Sequence, residues 1–138
     1  MFKCGPDFLD PQWLRLASGQ PVHALDRWMN GEVDVRARLF QAAQSNDVLL
    51  IEGVMGLFDG ANSAAELAKS LGISAVVVVD ASAMAATFGA IAHGLQHYDP
   101  GLQLAGCAGQ PRGHCPPRVR CCAAACATPH CGWARCTR

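Results

Sequence analysis

The 138-residue sequence lacks long hydrophobic runs. Its apolar stretches, such as residues 75–79, are far shorter than the roughly 20 residues that a membrane-spanning helix needs. The N-terminus also lacks a charged segment followed by an apolar one, which argues against a secretory signal. We therefore expect a cytoplasmic protein that has no membrane partner.

Acidic residues are missing from the last part of the chain. All 11 Asp and Glu residues lie within residues 1–100, whereas residues 101–138 hold five Arg, no Lys and no acid. Cys4 is the one cysteine of the first hundred residues, and the other seven crowd residues 107–136. The formal net charge is zero, which gives no indication of a nucleic-acid partner. The tail therefore needs an explanation separate from that of the body.

Apolar strands and helices alternate in the first hundred residues. Short apolar runs at residues 48–51 and 74–79 predict strands that are buried on both faces. Residues 1–3 are typical of the end of a strand, and another strand begins at Leu102. Helices are predicted over residues 11–17, 34–44, 64–71 and 83–97, with Asp34 and Ser63 as caps at the start of the second and third, and Gly19 and Gly72 at the ends of the first and third. This alternation indicates the α/β class with a parallel sheet.

One segment, DVLLIEGVMGLFDG (47–60), stands at the centre of this pattern. Its predicted strand ends on Glu52 and is followed by a loop with three glycines and Asp59. Ligands of open α/β sheets bind beyond the carboxyl ends of the strands, and glycines there allow a close backbone approach. The spacing alone leaves a simpler alternative open, in which Glu52 only ends a strand and Asp59 begins an ordinary turn. Asp80, which ends the next strand, has the alternative role of a helix N-cap.

Two motifs, FKCGPDFLDP (2–11) and EGVMGLFDG (52–60), together resemble the ATP-dependent cobyrinate or hydrogenobyrinate a,c-diamide synthases of corrin biosynthesis. The shorter segments LDRWM (25–29) and VVVVDA (76–81) support the resemblance, which covers residues 2–106. It implies a partial parallel sheet of a P-loop NTPase or dethiobiotin-synthetase-like domain. The chain contains no GxxxxGK[ST] phosphate loop, so we expect the first strand and that loop of the family to be absent.

The resemblance also implies a reaction. It is the ATP- and Mg²⁺-dependent amidation of the a and c carboxylates of cobyrinic or hydrogenobyrinic acid, with ammonia derived from glutamine. The expected partners are thus a corrin-ring substrate and ammonia, although no segment of this chain corresponds to the family's glutaminase domain. The sequence does not distinguish a cobalt-containing from a metal-free substrate, and it does not indicate an oligomeric state.

The family's motifs assign roles to seven residues of this chain. Hard carboxylate oxygens suit Mg²⁺, which usually takes one or two protein carboxylates together with phosphate oxygens and water. Lys3 is expected to offset the charge of a phosphate or a substrate carboxylate, and its alternative is a solvated lysine at a strand end. The resemblance implies catalytic roles for Glu52 and Asp59, substrate binding by Asp7, Asp10 and Lys3, cofactor binding by Gly53 and Gly56, and metal binding by Glu52 and Asp10.

The change in composition near residue 106 predicts two parts of the chain. Residues 1–106 are a fragment of an amidoligase domain, and residues 107–138 are a Cys/Arg/Pro-rich, disordered tail. The tail carries many potential zinc ligands but no CxxC pair, so a zinc-binding protein remains an alternative. A one-base frameshift at Gly106–Cys107 explains the composition better. Codons can be chosen for residues 107–114 that, after deletion of one base, encode the family-like sequence VLANRVG. A catalytically inactive, truncated product is a further alternative.

Overall fold

A computed structural model describes residues 1–110 and 120–121 of the chain. These residues fall into two compact units, the first formed by Met1–Leu71 and the second by the described residues from Gly72 onward. None of the helices in the described part is long and apolar enough to cross a membrane. The elements are β1 (Phe2–Cys4), α1 (Asp10–Ser18), β2 (His23–Leu25), α2 (Gly31–Ala43), β3 (Ile51–Glu52), α3 (Ala64–Leu71), β4 (Ala75–Asp80), α4 (Ala86–Tyr98), β5 (Leu104–Gln110) and β6 (Arg120–Cys121).

The first unit contains a three-stranded parallel sheet in the order β2-β1-β3. The central strand, β1, confirms the strand predicted at the N-terminus. In its register, Lys3 lies opposite Ala24 on one side and Glu52 on the other. Strand β2 was not predicted, because three residues are too few to show an alternating pattern. Since all three strands are parallel, their carboxyl ends meet at one edge of the sheet.

A small apolar core fixes two helices against this sheet. Buried residues of β1 and β2 pack with one residue each from α2 and α3. Burial of such side chains is the main force that holds the helices in place. The cluster consists of Phe2, Cys4, Leu25, Val35 and Leu67.

Local signals predict the ends of two helices correctly. Helix α1 stops at Gly19, whose φ of 65° is left-handed and whose N–H bonds the carbonyl of Arg15 at 2.9 Å. Helix α3 starts after Ser63, whose hydroxyl accepts the N–H of Glu66 at 3.2 Å. It ends before Gly72, whose φ is 66°. The sequence predicts these boundaries because caps are local chemistry.

Two other predicted helix starts are wrong. Helix α2 begins at Gly31, so Asp34 is not its cap but pairs with Arg38 one turn later, at 2.6 Å. Helix α4 begins at Ala86 and not at residue 83. Asp80 is therefore not its N-cap, and its Oδ1 accepts the N–H of Ser82 at 3.1 Å in the preceding turn.

The second unit contains a three-stranded sheet in the order β4-β5-β6. Strand β4 is parallel to β5, and β5 is antiparallel to β6. The prediction that β4 is buried on both faces is wrong: Val76 and Val78 are 65% and 63% exposed, whereas Val77 and Val79 are half-buried. Successive side chains of a strand point to opposite faces of its sheet, so one face of β4 is partly covered and the other is open among the described residues.

The apolar run before Glu52 differs from its prediction in the same way. Only Ile51 and Glu52 form β3, and Val48 and Leu50 are 72% and 60% exposed. Strand β3 is an edge strand, because it pairs with β1 alone among the strands described. The class predicted from the sequence, α/β with parallel pairing, is confirmed, but the described residues form two sheets and not one partial sheet.

The predicted boundary between body and tail falls inside a strand. Strand β5 continues through Cys107 to Gln110 and pairs with β4 along that length. The rest of the tail, apart from the short β6, lies outside the described residues. The frameshift and the zinc site of the tail therefore stay predictions.

Candidate functional site

The ammonium of Lys3 is the centre of the candidate site. Its Nζ lies 2.9 Å from Oδ2 of Asp10, 2.9 Å from Oε2 of Glu52 and 3.0 Å from the carbonyl oxygen of Gly53. Oδ2 of Asp7 lies at 3.6 Å. We call Lys3, Asp7, Asp10 and Glu52 the Lys3 cluster. It assembles where β1 and β3 end, because parallel pairing places Lys3 beside Glu52.

Lys3 is buried and charged at the same time. Its side chain is only 1% exposed, so it is not the solvated lysine of the alternative interpretation. Desolvation by itself lowers the pKa of a lysine, but hydrogen bonds to Glu52 and Asp10 outweigh it, and the pKa of Lys3 is raised. The residue therefore carries its positive charge throughout the neutral range.

Asp7 holds the loop that leads into α1. Its Oδ1 accepts the N–H of Leu9 at 2.9 Å and the N–H of Asp10 at 3.1 Å. These backbone hydrogen bonds, with a smaller contribution from Lys3, keep the pKa of Asp7 below its usual value. The contacts place Asp7 as the residue that aims Asp10 at Lys3. Its predicted role in substrate binding stays a prediction.

Asp10 and Glu52 are the two open carboxylates of the cluster. Each binds Lys3 through one oxygen, yet their side chains are 49% and 44% exposed. The described residues contain no group of three or more His, Cys, Asp or Glu that could hold a metal ion by themselves. Two solvent-facing carboxylates are nevertheless the protein share that Mg²⁺ usually takes, so these residues fit that ion.

The predicted glycines have neighbours that explain them. A Cβ at Gly56 would lie 2.3 Å from Oδ2 of Asp59, so a side chain at this position would displace that carboxylate. A Cβ at Gly53 would lie 3.3 Å from the Cβ of Ala64. The carbonyl oxygen of Gly53 accepts a hydrogen bond from the ammonium of Lys3. Asp59 itself closes a turn, its N–H bonding the carbonyl of Gly56 at 3.0 Å. The structure thus joins Asp59 to Gly56 and does not bring it into hydrogen bonding with the Lys3 cluster.

Two buried polar groups next to the cluster were not singled out from the sequence. Oδ1 of Asp26 accepts the N–H groups of Trp28 and Met29, at 2.8 and 3.1 Å, and thereby shapes the turn before α2. Burial, and secondly the charge of Asp26, raises the pKa of the Cys4 thiol. Cys4 is thus an unreactive core residue. The carbonyl of Gly53 was also missed, because a backbone acceptor leaves no signal in the sequence.

The fold and the cluster together define an α/β protein with a charged site at the carboxyl edge of a parallel sheet. The chain is 59% identical over 106 residues to the hydrogenobyrinate a,c-diamide synthase of Stutzerimonas stutzeri, which is 77% of this chain and 25% of the relative. It is 55% identical over 109 residues to the enzyme of that name from Pseudomonas aeruginosa, 79% of this chain and 25% of the relative. A cobyrinate a,c-diamide synthase of Herminiimonas arsenicoxydans is 56% identical over 106 residues, 77% of this chain and 24% of the relative.

Over this matched length the chain belongs to the cobyrinate and hydrogenobyrinate a,c-diamide synthase family, as its two motifs predicted. The chain spans about a quarter of the length of the curated relatives it matches. No family model matches it, and no solved structure does.

Proposed function

We propose that this chain forms part of the site of an ATP- and Mg²⁺-dependent amidoligase. The enzyme converts the a and c carboxylates of cobyrinic or hydrogenobyrinic acid to amides in cobalamin biosynthesis, in the cytoplasm, with ammonia that comes from glutamine. The observation that carries the proposal is the Lys3 cluster. The cluster combines residues of the two motifs that resemble those of the a,c-diamide synthases. It lies at the edge of the sheet where α/β proteins bind ligands.

The reaction needs a carboxylate activated by phosphorylation, which ammonia then attacks at the carbonyl carbon while phosphate leaves. Activation requires that negative charge on the substrate and phosphate groups be offset. In this proposal Asp10 and Glu52 hold Mg²⁺, which supplies that positive charge when it is bound. Asp59, fixed next to Gly56, orients the substrate carboxylate or receives a proton from the attacking ammonia.

ATP binding has a weaker basis in this chain. The 138 residues contain no GxxxxGK[ST] segment, and this is the usual cradle for the phosphates. A Cβ at Gly53 or Gly56 would meet a neighbouring protein group, and the cofactor-binding role predicted for these glycines stays a prediction. We therefore assign no step of phosphate binding to the described residues. The carboxylate side of the site is the part that this chain supplies.

A segment exchange tests the proposal. The matched segment of the Stutzerimonas stutzeri relative is replaced by that of this chain, and formation of the a,c-diamide is followed by mass spectrometry. We expect an active chimera that loses activity about 100-fold on Glu52→Gln, because the amide removes a metal-binding charge. Glu32→Gln is the matched control, since Glu32 is exposed and pairs with Arg36 on α2. A folded but inactive chimera, or an active Glu52→Gln variant, would contradict the proposal.

A further inference from the structure

Lys3 can donate three hydrogen bonds, and all three are used inside the protein. A lysine ammonium has three N–H groups and no acceptor. Its three acceptors lie at hydrogen-bonding distance, at 2.9, 2.9 and 3.0 Å, on Asp10, Glu52 and Gly53. A further bond to a phosphate or a substrate carboxylate would require that one of these be broken.

The burial of the Lys3 side chain also indicates that its ammonium is not available to a ligand. The Lys3 side chain is 1% exposed, whereas Asp10 and Glu52 are about half exposed. The carboxylates therefore lie between the ammonium and solvent, and an incoming ligand meets them first. Three acidic groups also surround one cation, so the cluster keeps an excess of negative charge, which repels an anionic substrate and attracts a metal ion.

The three acceptors come from separate parts of the fold. Asp10 opens α1, Glu52 ends β3 and Gly53 opens the glycine loop. A single side chain in the middle strand thus fixes the separation of two carboxylates that belong to different elements. Like charges at such short range repel each other, and the ammonium between them removes that repulsion.

We propose that Lys3 is a positioning residue that holds Asp10, Glu52 and the Gly53 loop in place and does not itself contact substrate. This differs from the substrate-binding role that the family motif implies for it. The placement of Lys3 stands on geometry alone, and only the task of the carboxylates rests on the proposed function.

The chain provides its own control for a labelling test, because Lys3 and Lys69 are its two lysines. Lys69 is 28% exposed and pairs with Glu66 on α3. The full-length chain is treated with formaldehyde and dimethylamine–borane, and methylation of each lysine is followed by mass spectrometry. We expect Lys3 to react at least about tenfold more slowly than Lys69, because its amine is reached only when the cluster opens. Equal rates at the two lysines would overturn the proposal.

Two variants identify what protects Lys3. Glu52→Ala and Asp10→Ala each remove one acceptor and should speed methylation of Lys3 several-fold, while Glu32→Ala should not change it. Unchanged protection in both cluster variants would mean that other atoms bury the amine, which also overturns the proposal. If a variant unfolds, ¹⁵N-lysine NMR of the unaltered chain decides. Slow exchange with water keeps the Lys3 ammonium signal visible, and its loss by rapid exchange contradicts the proposal.

The active chimera separates positioning from substrate contact. We expect Lys3→Met to lower kcat about tenfold or more and to leave the KM for the corrin substrate within about twofold, because the carboxylates lose their geometry while substrate contacts remain. A raised KM with kcat unchanged would show that Lys3 binds substrate. If the proposed function is wrong, the result is different, because the chimera is then inactive even with Lys3 in place. The labelling experiment still decides whether the Lys3 amine is enclosed.

Discussion

Strands β3 and β4 both end an apolar run with a carboxylate, but the two carboxylates have different surroundings. Glu52 lies in register with Lys3 on the neighbouring strand and binds its ammonium. Asp80 lies in register with Gln110, and its Oδ1 accepts the N–H of Ser82. The local pattern is the same in both units. The two strand ends differ in the residue in register with the carboxylate, which is far away in the sequence: Lys3 for Glu52 and Gln110 for Asp80.

The largest effect should come from removing the core under the first sheet. Leu25 is 1% exposed and belongs to the apolar cluster that holds α2 and α3. We expect Leu25→Ala to lower the free energy of unfolding by about 2–5 kcal/mol, through lost burial and the cavity left behind. Urea denaturation of the full chain, followed by circular dichroism, measures this. A loss below about 1 kcal/mol would show that the first unit does not depend on this core.

Removing the cation from the first unit should have the next largest effect. Lys3→Met leaves Asp10 and Glu52 without their counter-charge. Breaking a fully buried ion pair costs about 3–5 kcal/mol, and since both carboxylates are half exposed we expect about 1–3 kcal/mol. Lys69→Met, which breaks a surface pair on α3, should cost less than about 0.5 kcal/mol. Equal losses in the two variants, measured by urea denaturation, would remove the distinction between the cluster and a surface pair.

The two faces of β4 offer a smaller contrast within the second unit. Val77 is half-buried and Val78 is 63% exposed. We expect Val77→Ala to cost about 1 kcal/mol and Val78→Ala less than about 0.5 kcal/mol, because only the first loses buried methyl groups. Thermal unfolding of both variants tests the assignment of faces. The reverse order would mean that the open face of β4 is covered in solution.

The smallest expected effect is a change in pH dependence at the cluster. The pKa of Asp7 is lower in the folded chain than in the unfolded chain, chiefly because the N–H groups of Leu9 and Asp10 favour its charged form. The unfolded state therefore binds the proton first, and this contribution to stability is present above about pH 4 and is lost as the pH falls through the folded pKa. Asp7→Asn should flatten the acid limb of a plot of stability against pH. An unchanged limb would show that Asp7 makes no such contribution.

The opposite sign applies to Lys3. Its pKa is raised in the folded chain, so its contribution to stability is complete below the unfolded value near 10.5 and is lost as the pH rises through the folded value. A loss of stability confined to strongly alkaline solution is expected, and Lys3→Met should abolish it. The measurement is urea denaturation in a series of alkaline buffers.

Local chemistry explains how much of this fold the sequence predicts. Gly19, Ser63 and Gly72 end or begin helices through bonds to their immediate neighbours, and all three were placed correctly. The burial of the apolar runs was not predicted correctly. Periodicity cannot show whether both faces of an apolar strand are covered, because that depends on which elements of the fold pack on the faces of its sheet.

In the candidate site, too, the sequence predicts what local motifs determine and does not predict what depends on the tertiary fold. The motifs name Lys3, Asp10 and Glu52 as site residues, and the structure brings these three together. The sequence does not reveal that Lys3 is enclosed by its partners, because the pairing of β1 with β3 joins residues 49 positions apart. The position of Asp59 outside the hydrogen bonds of the cluster depends on the path of the glycine loop, which no local rule fixes.

The long sequence separation between Lys3 and its partners has a consequence for synthesis of the chain on the ribosome. The ammonium binds groups 7, 49 and 50 residues further along the chain, so all three partners are synthesised after it. At about 5–20 residues per second, roughly 2–10 s pass on the ribosome between the synthesis of β1 and that of β3. A positive charge in the middle of a short apolar strand is a poor template for mispairing during that interval. The charge that later organises the carboxylates is therefore expected also to disfavour association of β1 before its partners are made.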